Sequence, residues 1–207
     1  MAALLRQRIS NLYMRNWKNE EFIPLRELQQ VLEEGIIKQT LQECNVEPYR
    51  QAEAVQSVLC GGSRTFGILC IISREIRIVE FVRQDGFLRT NLDSRLPYEE
   101  HELERIIPDD YREFYDTQWA FSAPIFGSNL QHRILHDKCI LPFQEIEEKG
   151  EGGFGVVSKV SLPGKHQAIL SSDKEKVSVH CLRSAHALKK RFALLVSFHS
   201  HYAVLSD

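Results

Sequence analysis

Closely spaced cysteine pairs are missing from this sequence. Its five cysteines stand at positions 44, 60, 70, 139 and 181, and no Cys-x-x-Cys occurs. The odd number and wide spacing argue against the disulfide framework of a small secreted domain and against a thiolate zinc site. The spacing favours reduced thiols in an intracellular protein, and we expect a cytoplasmic location.

Long hydrophobic runs are missing as well. The longest apolar stretches, residues 66–72 and 192–198, fall well short of the roughly 20 residues that cross a bilayer as a helix. Arg6 and Arg8 interrupt a briefly apolar start, and no hydrophobic stretch of signal-peptide length follows. We therefore expect no membrane partner.

An excess of charge of one sign is also absent. The chain has 26 basic and 28 acidic residues and a net charge of −2. Nothing in that balance suggests the basic surface of a nucleic-acid-binding protein, so no nucleic-acid partner is expected. Hydrophobic residues make up 43% of the chain, which is typical of a folded globular protein.

Helical patterns fill most of the first 120 residues. Helices are predicted over residues 2–17, from Pro24, over 35–42, from Pro48 to Leu59, over 99–106 and, with Asp109 as cap, to Phe121. Proline suits a helix start, and Gly61 and Gly62 suit a helix end. Residues 65–72 and 76–82 fit either a helix or a strand, and the aromatic stripe of the last helix is expected to pack in a core.

Short strand-like runs with many glycines replace the helical patterns from Leu141 onward. This change predicts a boundary near residues 138–142. The chain would then consist of a mostly helical domain over 1–138 and a second domain over 139–207. The predicted fold class is α+β.

One glycine-rich motif carries recognisable chemistry. Residues 150–157 read Gly-Glu-Gly-Gly-Phe-Gly-Val-Val, which matches G-x-G-x-x-G-x-V with Gly150, Gly152, Gly155 and Val157. Alternating residues before and after the motif predict a β-hairpin. Backbone N–H groups at the tip of such a hairpin can face phosphate oxygens, and a Cβ at the glycine positions would hold the backbone away.

Two other kinds of glycine loop fit the sequence less well. A dinucleotide-binding loop opens a helix after a strand, but Pro163 and Gly164 follow too soon for that helix. A Walker A loop needs G-x-x-x-x-G-K-[ST], which is absent. A glycine-rich hairpin without any ligand stays open as an alternative.

The stretch from residue 141 to 160 resembles the start of a eukaryotic protein kinase domain, of which the Ser/Thr type is favoured. Up to about Val160 the chain also resembles fungal proteins with a kinase domain behind a poorly characterised N-terminal domain. The resemblance implies an incomplete kinase N-lobe that binds ATP, with Mg²⁺ if ATP is bound. The implied ligand-contacting residues in the loop are Gly150, Glu151, Gly152, Gly153, Phe154, Gly155 and Val157, with Val157 against the adenine.

A kinase also needs a lysine on its third strand, in a V-A-I-K pattern, to hold the α- and β-phosphates. Lys189 in Ala187-Leu188-Lys189 is the candidate that the resemblance implies, and it would require an inserted loop over about 162–176. The alternative run, residues 177–180, has a strand pattern but ends in His180 where the lysine belongs.

The later catalytic elements of a kinase do not occur in these 207 residues. There is no H-R-D-x-x-x-x-N segment and no D-F-G, so no residue is assigned to accept the substrate proton or to hold Mg²⁺. We therefore expect a chain truncated after the glycine loop and catalytically inactive. His132, His136 and Cys139 have spacing that could suit a metal, but no fourth ligand is evident, so no metal site is predicted.

Two hypotheses of function follow. In the first, the chain is a protein-kinase-like protein that binds a nucleotide through its glycine loop. In the second, it is a non-catalytic interaction or regulatory protein, which binds protein partners through the N-terminal domain and carries a vestigial loop.

Overall fold

The computed structural model describes residues 1–84, 87–127, 133–152, 155–163, 167–168, 176–184 and 191–195. The chain contains both helices and antiparallel sheets, as the sequence predicts, and it divides into two compact units between Pro124 and Ile125. The boundary suggested by the sequence, near 138–142, lies further along the chain than this division.

The first unit is mostly helical. Its helices are α1 (Ala2–Ser10), α2 (Leu25–Val31), α3 (Glu34–Glu43), α4 (Pro48–Leu59), α5 (Ser63–Ile71), α6 (Ile78–Val82), α7 (Glu100–Ile106) and α8 (Tyr111–Phe121). Short 3-10 helices cover Glu75–Arg77 and Leu92–Arg95. Two small antiparallel hairpins pair β1 (Met14–Arg15) with β2 (Glu21–Phe22), and β3 (Arg83–Gln84) with β4 (Phe87–Leu88).

Helix α5 lies in the core of this unit. Phe66, Ile68 and Leu69 are fully buried, so these apolar side chains of α5 pack inside the first unit. A Cβ added at Gly67 would lie 2.8 Å from Cε1 of Phe121, a residue of α8. The missing side chain at Gly67 therefore permits the close approach of α5 and α8.

The aromatic residues of α8 pack as predicted. Phe114 and Phe121 are buried in the core cluster, and Tyr111 and Tyr115 pack against it. The ring of Phe114 stacks on Phe81 of α6 at a centroid distance of 5.1 Å. The segment 76–82, which fitted a helix or a strand, is helical: it covers the end of a 3-10 helix and α6, and Ile78, Phe81 and Val82 lie in this core.

The helix predicted over residues 2–17 is wrong in its second half, because α1 ends at Ser10. Asn16 holds the following turn instead. Its Oδ1 accepts hydrogen bonds from the backbone N–H groups of Lys18 and Glu20, each at 2.9 Å. A short polar side chain that bonds nearby backbone favours a turn over a continuing helix.

The prediction that Asp109 caps α8 is also wrong. Asp110 precedes the helix, and no side chain caps it. Both aspartates contact arginines. Asp110 accepts hydrogen bonds from Nε of Arg74 at 2.6 Å and from Nε of Arg77 at 2.8 Å. Asp109 lies 3.3 Å from Nη2 of Arg77. Both aspartates therefore form ion pairs with arginines, and neither caps the helix.

The second unit is built on sheets. Its strands are β5 (Phe126–Gly127), β6 (Arg133–Ile134), β7 (Glu145–Gly152), β8 (Gly155–Pro163), β9 (Gln167–Ala168), β10 (Lys176–Ser184) and β11 (Arg191–Leu195). An antiparallel sheet has the strand order β6-β11-β10-β8-β7, and β5 pairs with β9 in parallel.

A small apolar core supports the second unit. Val160 and Leu162 of β8 are buried, as is Phe143 before β7. The ring of Phe126 in β5 stacks on Phe143 at a centroid distance of 5.6 Å. This contact packs Phe126 against the second unit, although the strand-like, glycine-rich sequence begins only at Leu141.

Candidate functional site

The glycine motif forms the end of a regular β-hairpin. Strands β7 and β8 pair antiparallel from Glu145 opposite Ser161 to Gly152 opposite Gly155. Only two residues, Gly153 and Phe154, connect the paired glycines, and both lie outside the described residues. The hairpin predicted from the sequence is therefore present, with glycine on both strands where they meet the connection.

The pairing of β7 with β8 is interrupted once, next to the motif. Glu148 lies opposite Ser158 and Gly150 opposite Val157, so Lys149 is an extra residue on β7. Such a bulge increases the local twist of a hairpin, and bulges are common beside ligand sites. It falls immediately before the first glycine of the motif.

Gly150 is a glycine that the fold itself does not require. A Cβ added there would meet no atom within 4 Å, and its φ lies outside the left-handed region. An alanine would therefore fit both the space and the backbone. The open surface at Gly150 leaves room for a group that approaches the backbone closely.

The charge around the hairpin is unfavourable for an anion. Strand β7 carries Glu145, Glu147, Glu148 and Glu151 against the single Lys149. A hydrogen bond from Lys149, together with its charge, lowers the pKa of Glu147, so that carboxylate stays ionised. Lys159 stands opposite Glu147 in β8 and offsets part of this negative charge.

A third strand, β10, follows the hairpin in the sheet and pairs with the other edge of β8. It carries His180, opposite Lys159 of β8. Lys189 lies outside the described residues, between β10 and β11. Residues 177–180, the alternative to the segment with Lys189, therefore lie on the strand beside β8. The role of Lys189 stays a prediction.

The structure brings Gly150, Glu151, Gly152, Gly155 and Val157 together on two paired strands. Gly153, Phe154, Lys189 and His132 lie outside the described part of the chain. His136 is exposed and Cys139 is buried, so these two side chains do not share one environment. Within the described ranges, no three His, Cys, Asp or Glu side chains are grouped as metal ligands.

The sequence reasoning missed a cluster of arginines in the first unit. Arg83, Arg89, Arg95 and Arg105 line a cavity of about 310 Å³. Their spacing in the sequence follows no motif, because they are distributed over separate elements that include β3, a 3-10 helix and α7. Only the tertiary packing of these elements brings the four side chains together.

Comparisons with known proteins leave the family open: no family model, no curated protein and no solved structure matches the chain. Among the helices described, none is by itself long and apolar enough to cross a membrane. Helices α4 and α5 meet the criteria of length and composition only as a pair, and they are bent by 113°.

Proposed function

We propose that the hairpin over residues 150–157 binds the phosphates of ATP, as part of a protein-kinase-like nucleotide lobe. The observation that carries this proposal is Gly150, which neither packing nor backbone conformation requires to be glycine. A phosphate that approaches the backbone is a physical reason for glycine at such a position. The bulge at Lys149 and the two paired glycines at the hairpin end support the same interpretation.

The proposed activity is binding and not phosphoryl transfer. ATP would be held by backbone N–H groups of the hairpin, with Val157 against the adenine and Lys189 near the phosphates. The described residues offer no cluster of ligands for Mg²⁺, so Mg²⁺ would arrive on the nucleotide. No residue of this chain is assigned to accept a proton from a substrate hydroxyl.

The acidic strand β7 sets the expected strength of binding. Glu147 and Glu148, which precede the motif closely in β7, oppose the approach of a triphosphate, and salt screens this repulsion only in part. We therefore expect a dissociation constant of about 1 mM, which corresponds to a binding free energy of about −4 kcal/mol. Binding should strengthen when Glu147 or Glu148 is replaced by glutamine.

Titration of the full chain with MgATP, followed by ligand-observed NMR, tests the proposal. Binding that is lost in Gly152→Val is the expected result, because valine is compatible with a strand but blocks the approach of phosphate. Circular dichroism of the variant checks that the sheet is retained. The absence of binding at about 10 mM ATP, well above the expected constant, would contradict the proposal.

The alternative function is that of an interaction protein built on the helical unit. The observation that favours it is the completeness of the first unit, whose helices enclose a core of their own. The acidic character of β7 is compatible with a hairpin that has no nucleotide. The MgATP titration separates the two hypotheses.

A further inference from the structure

Two cavities of the first unit adjoin each other. The cavity of about 310 Å³ described above and a smaller one of about 220 Å³ have Glu80 and Arg83 in common in their linings. Helix α4 contributes Arg50 to the smaller cavity, and α7 contributes Arg105 to the larger one. We call this surface, which Arg50, Arg83 and Arg105 line, the arginine groove.

The acidic side chains of the arginine groove are already engaged by the fold. Each of the three pairs with an arginine: Glu53 with Arg83 at 2.6 Å, Glu102 with Arg95 at 2.7 Å and Glu80 with Arg77 at 3.3 Å. Arg89, which also lines the larger cavity, has an interaction of its own, so no ligand contact is assigned to it. These pairs neutralise the wall and order it before any partner arrives, which lowers the entropy cost of binding.

Two arginines of the groove present guanidinium groups that no carboxylate contacts. Arg105 is exposed on α7, and its guanidinium makes no hydrogen bond or ion pair within the described residues. Arg50 is exposed on α4, and its Nε donates to the Tyr49 hydroxyl at 2.9 Å. Glu47 acts on Arg50 through its charge, but no ion pair joins these two described side chains. Each guanidinium can therefore offer its planar fork to the two oxygens of a carboxylate.

Exposed apolar surface surrounds Arg83 in the groove. The ring of Tyr49 is 52% exposed, and its centroid lies 5.7 Å from the Arg83 guanidinium. Leu88 is also 52% exposed and stands opposite Arg83 in the pairing of β3 with β4. Val79 and Val82 line the smaller cavity. Tyrosine and arginine are enriched at protein interfaces, so this surface has the composition of a docking site.

We propose that the arginine groove binds an acidic segment of a protein partner, in which two carboxylates flank an aliphatic side chain. The carboxylates pair with Arg50 and Arg105, and the aliphatic side chain packs against Tyr49 and Val79. Nucleic acid fits less well, because its phosphate backbone calls for a row of cations, whereas paired glutamates lie among the arginines here. This inference is independent of the nucleotide hairpin, which belongs to the other unit.

Fluorescence anisotropy of a set of labelled synthetic peptides, titrated with the full chain at fixed ionic strength, tests the proposal. Each peptide carries a leucine between two glutamates, and the number of serines that separate these three residues varies across the set. We expect at least one peptide to bind. Replacement of both glutamates by glutamine, or of the leucine by serine, should weaken its binding about tenfold or more. The absence of binding by every peptide at about 1 mM protein would overturn the proposal.

Arg50→Glu and Arg105→Glu should each weaken the binding about tenfold or more, because each removes a charge-assisted hydrogen bond. Neither residue pairs with a carboxylate in the described fold, so both variants should stay folded, which circular dichroism checks. Arg8→Glu is the matched control, because Arg8 is exposed on α1, outside both linings, and the change in net charge is the same. It should bind the peptide as the unmodified chain does. Equal weakening by all three changes would show a general charge effect and overturn the proposal.

Two other occupants of the groove are separated by the same variants. A single-stranded RNA oligonucleotide that binds more tightly than the best peptide, and that Arg105→Glu releases, would overturn the proposal in favour of nucleic acid. Sedimentation of the unmodified chain tests a second copy as the occupant. Self-association that Arg105→Glu abolishes and Arg8→Glu preserves would assign the groove to that second copy and overturn the proposal as well.

Discussion

The carboxylate of Asp93 caps helix α5 through Thr65, 28 residues away in the sequence. Its Oδ1 accepts hydrogen bonds from the backbone N–H of Thr65 at 2.9 Å and from the Thr65 hydroxyl at 3.0 Å, and its Oδ2 accepts from the N–H of Arg64 at 2.9 Å. The residue before α5 is Gly62, which has no side chain to serve as a cap. A distant aspartate therefore satisfies the N–H groups that a local cap would normally bind.

Replacing Asp93 with alanine should destabilise the first unit by about 2 kcal/mol, at the upper end of the range for a lost cap, since Thr65 also loses a partner. Urea denaturation followed by tryptophan fluorescence measures this, because both tryptophans, Trp17 and Trp119, belong to that unit. Asp116→Ala, at an exposed position on α8, is the control and should change stability by less than about 0.5 kcal/mol. Equal effects of the two changes would refute the capping role.

The ion pairs of Asp110 predict a pH dependence. Burial acts to raise the pKa of this carboxyl, but hydrogen bonds and charges from Arg74 and Arg77 outweigh burial and lower the pKa below its ordinary value of 3.8. Because the folded state holds the ionised form more tightly, the stabilisation is complete above that ordinary value. It is lost as the pH falls through the lower pKa of the folded state.

Asp110→Asn should therefore cost stability at neutral pH, by about 2 kcal/mol, and much less at a pH below the folded pKa. The measurement is urea denaturation at a series of pH values between about 2 and 7, a range that spans carboxyl titration. Asp109→Asn is the matched control, since Asp109 is 80% exposed and reaches only Arg77. A loss of stability for Asp110→Asn that does not vary with pH would contradict this account.

Gly67 should not tolerate even a methyl group. Alanine there would place a Cβ 2.8 Å from Cε1 of Phe121 and 3.1 Å from Cδ1 of Leu28. Overpacking of a core costs about 1–3 kcal/mol, which exceeds the helix propensity gained. Thermal or urea denaturation should show the loss, whereas Gly35→Ala, with open space around the new Cβ, should be neutral or stabilising.

The sequence was informative where local chemistry decides the structure. Helix α4 runs from Pro48 to Leu59 as predicted, because a proline start and a glycine end act within a few residues. The hairpin around Gly150 was recognised for the same reason. The turn at Asn16 was missed, since side-chain bonding to the backbone overrode the apolar spacing of residues 2–17.

Contacts between distant segments could not be predicted from the sequence. The cap of α5 by Asp93 and the cavity lined by Arg83, Arg95 and Arg105 depend on how the 3-10 helix, β3 and α7 pack. The stacking of Phe126 on Phe143 is likewise a tertiary contact. It explains why the second unit begins at Ile125, before the strand-like sequence that starts at Leu141.

Substitution of Gly150 by alanine gives the sharpest variant for the nucleotide proposal. The added Cβ meets no atom of the protein, and alanine in a strand should leave stability unchanged or raise it by about 0.5 kcal/mol. A loss of binding in this variant would therefore not be a consequence of unfolding. Gly35→Ala introduces the same methyl group into an equally open position of the helical unit and serves as its control.

The most direct test of the central claim is an NMR titration of the full chain with MgATP, in which the backbone amide signals are followed residue by residue. We predict that the amides of residues 150–157 shift with increasing MgATP, that Gly35→Ala preserves these shifts and that Gly150→Ala reduces them. Residue-level detection separates the hairpin from any binding of nucleotide phosphates in the arginine-lined cavity. Unchanged hairpin amides, or equal shifts in Gly150→Ala and the unmodified chain, would contradict the claim.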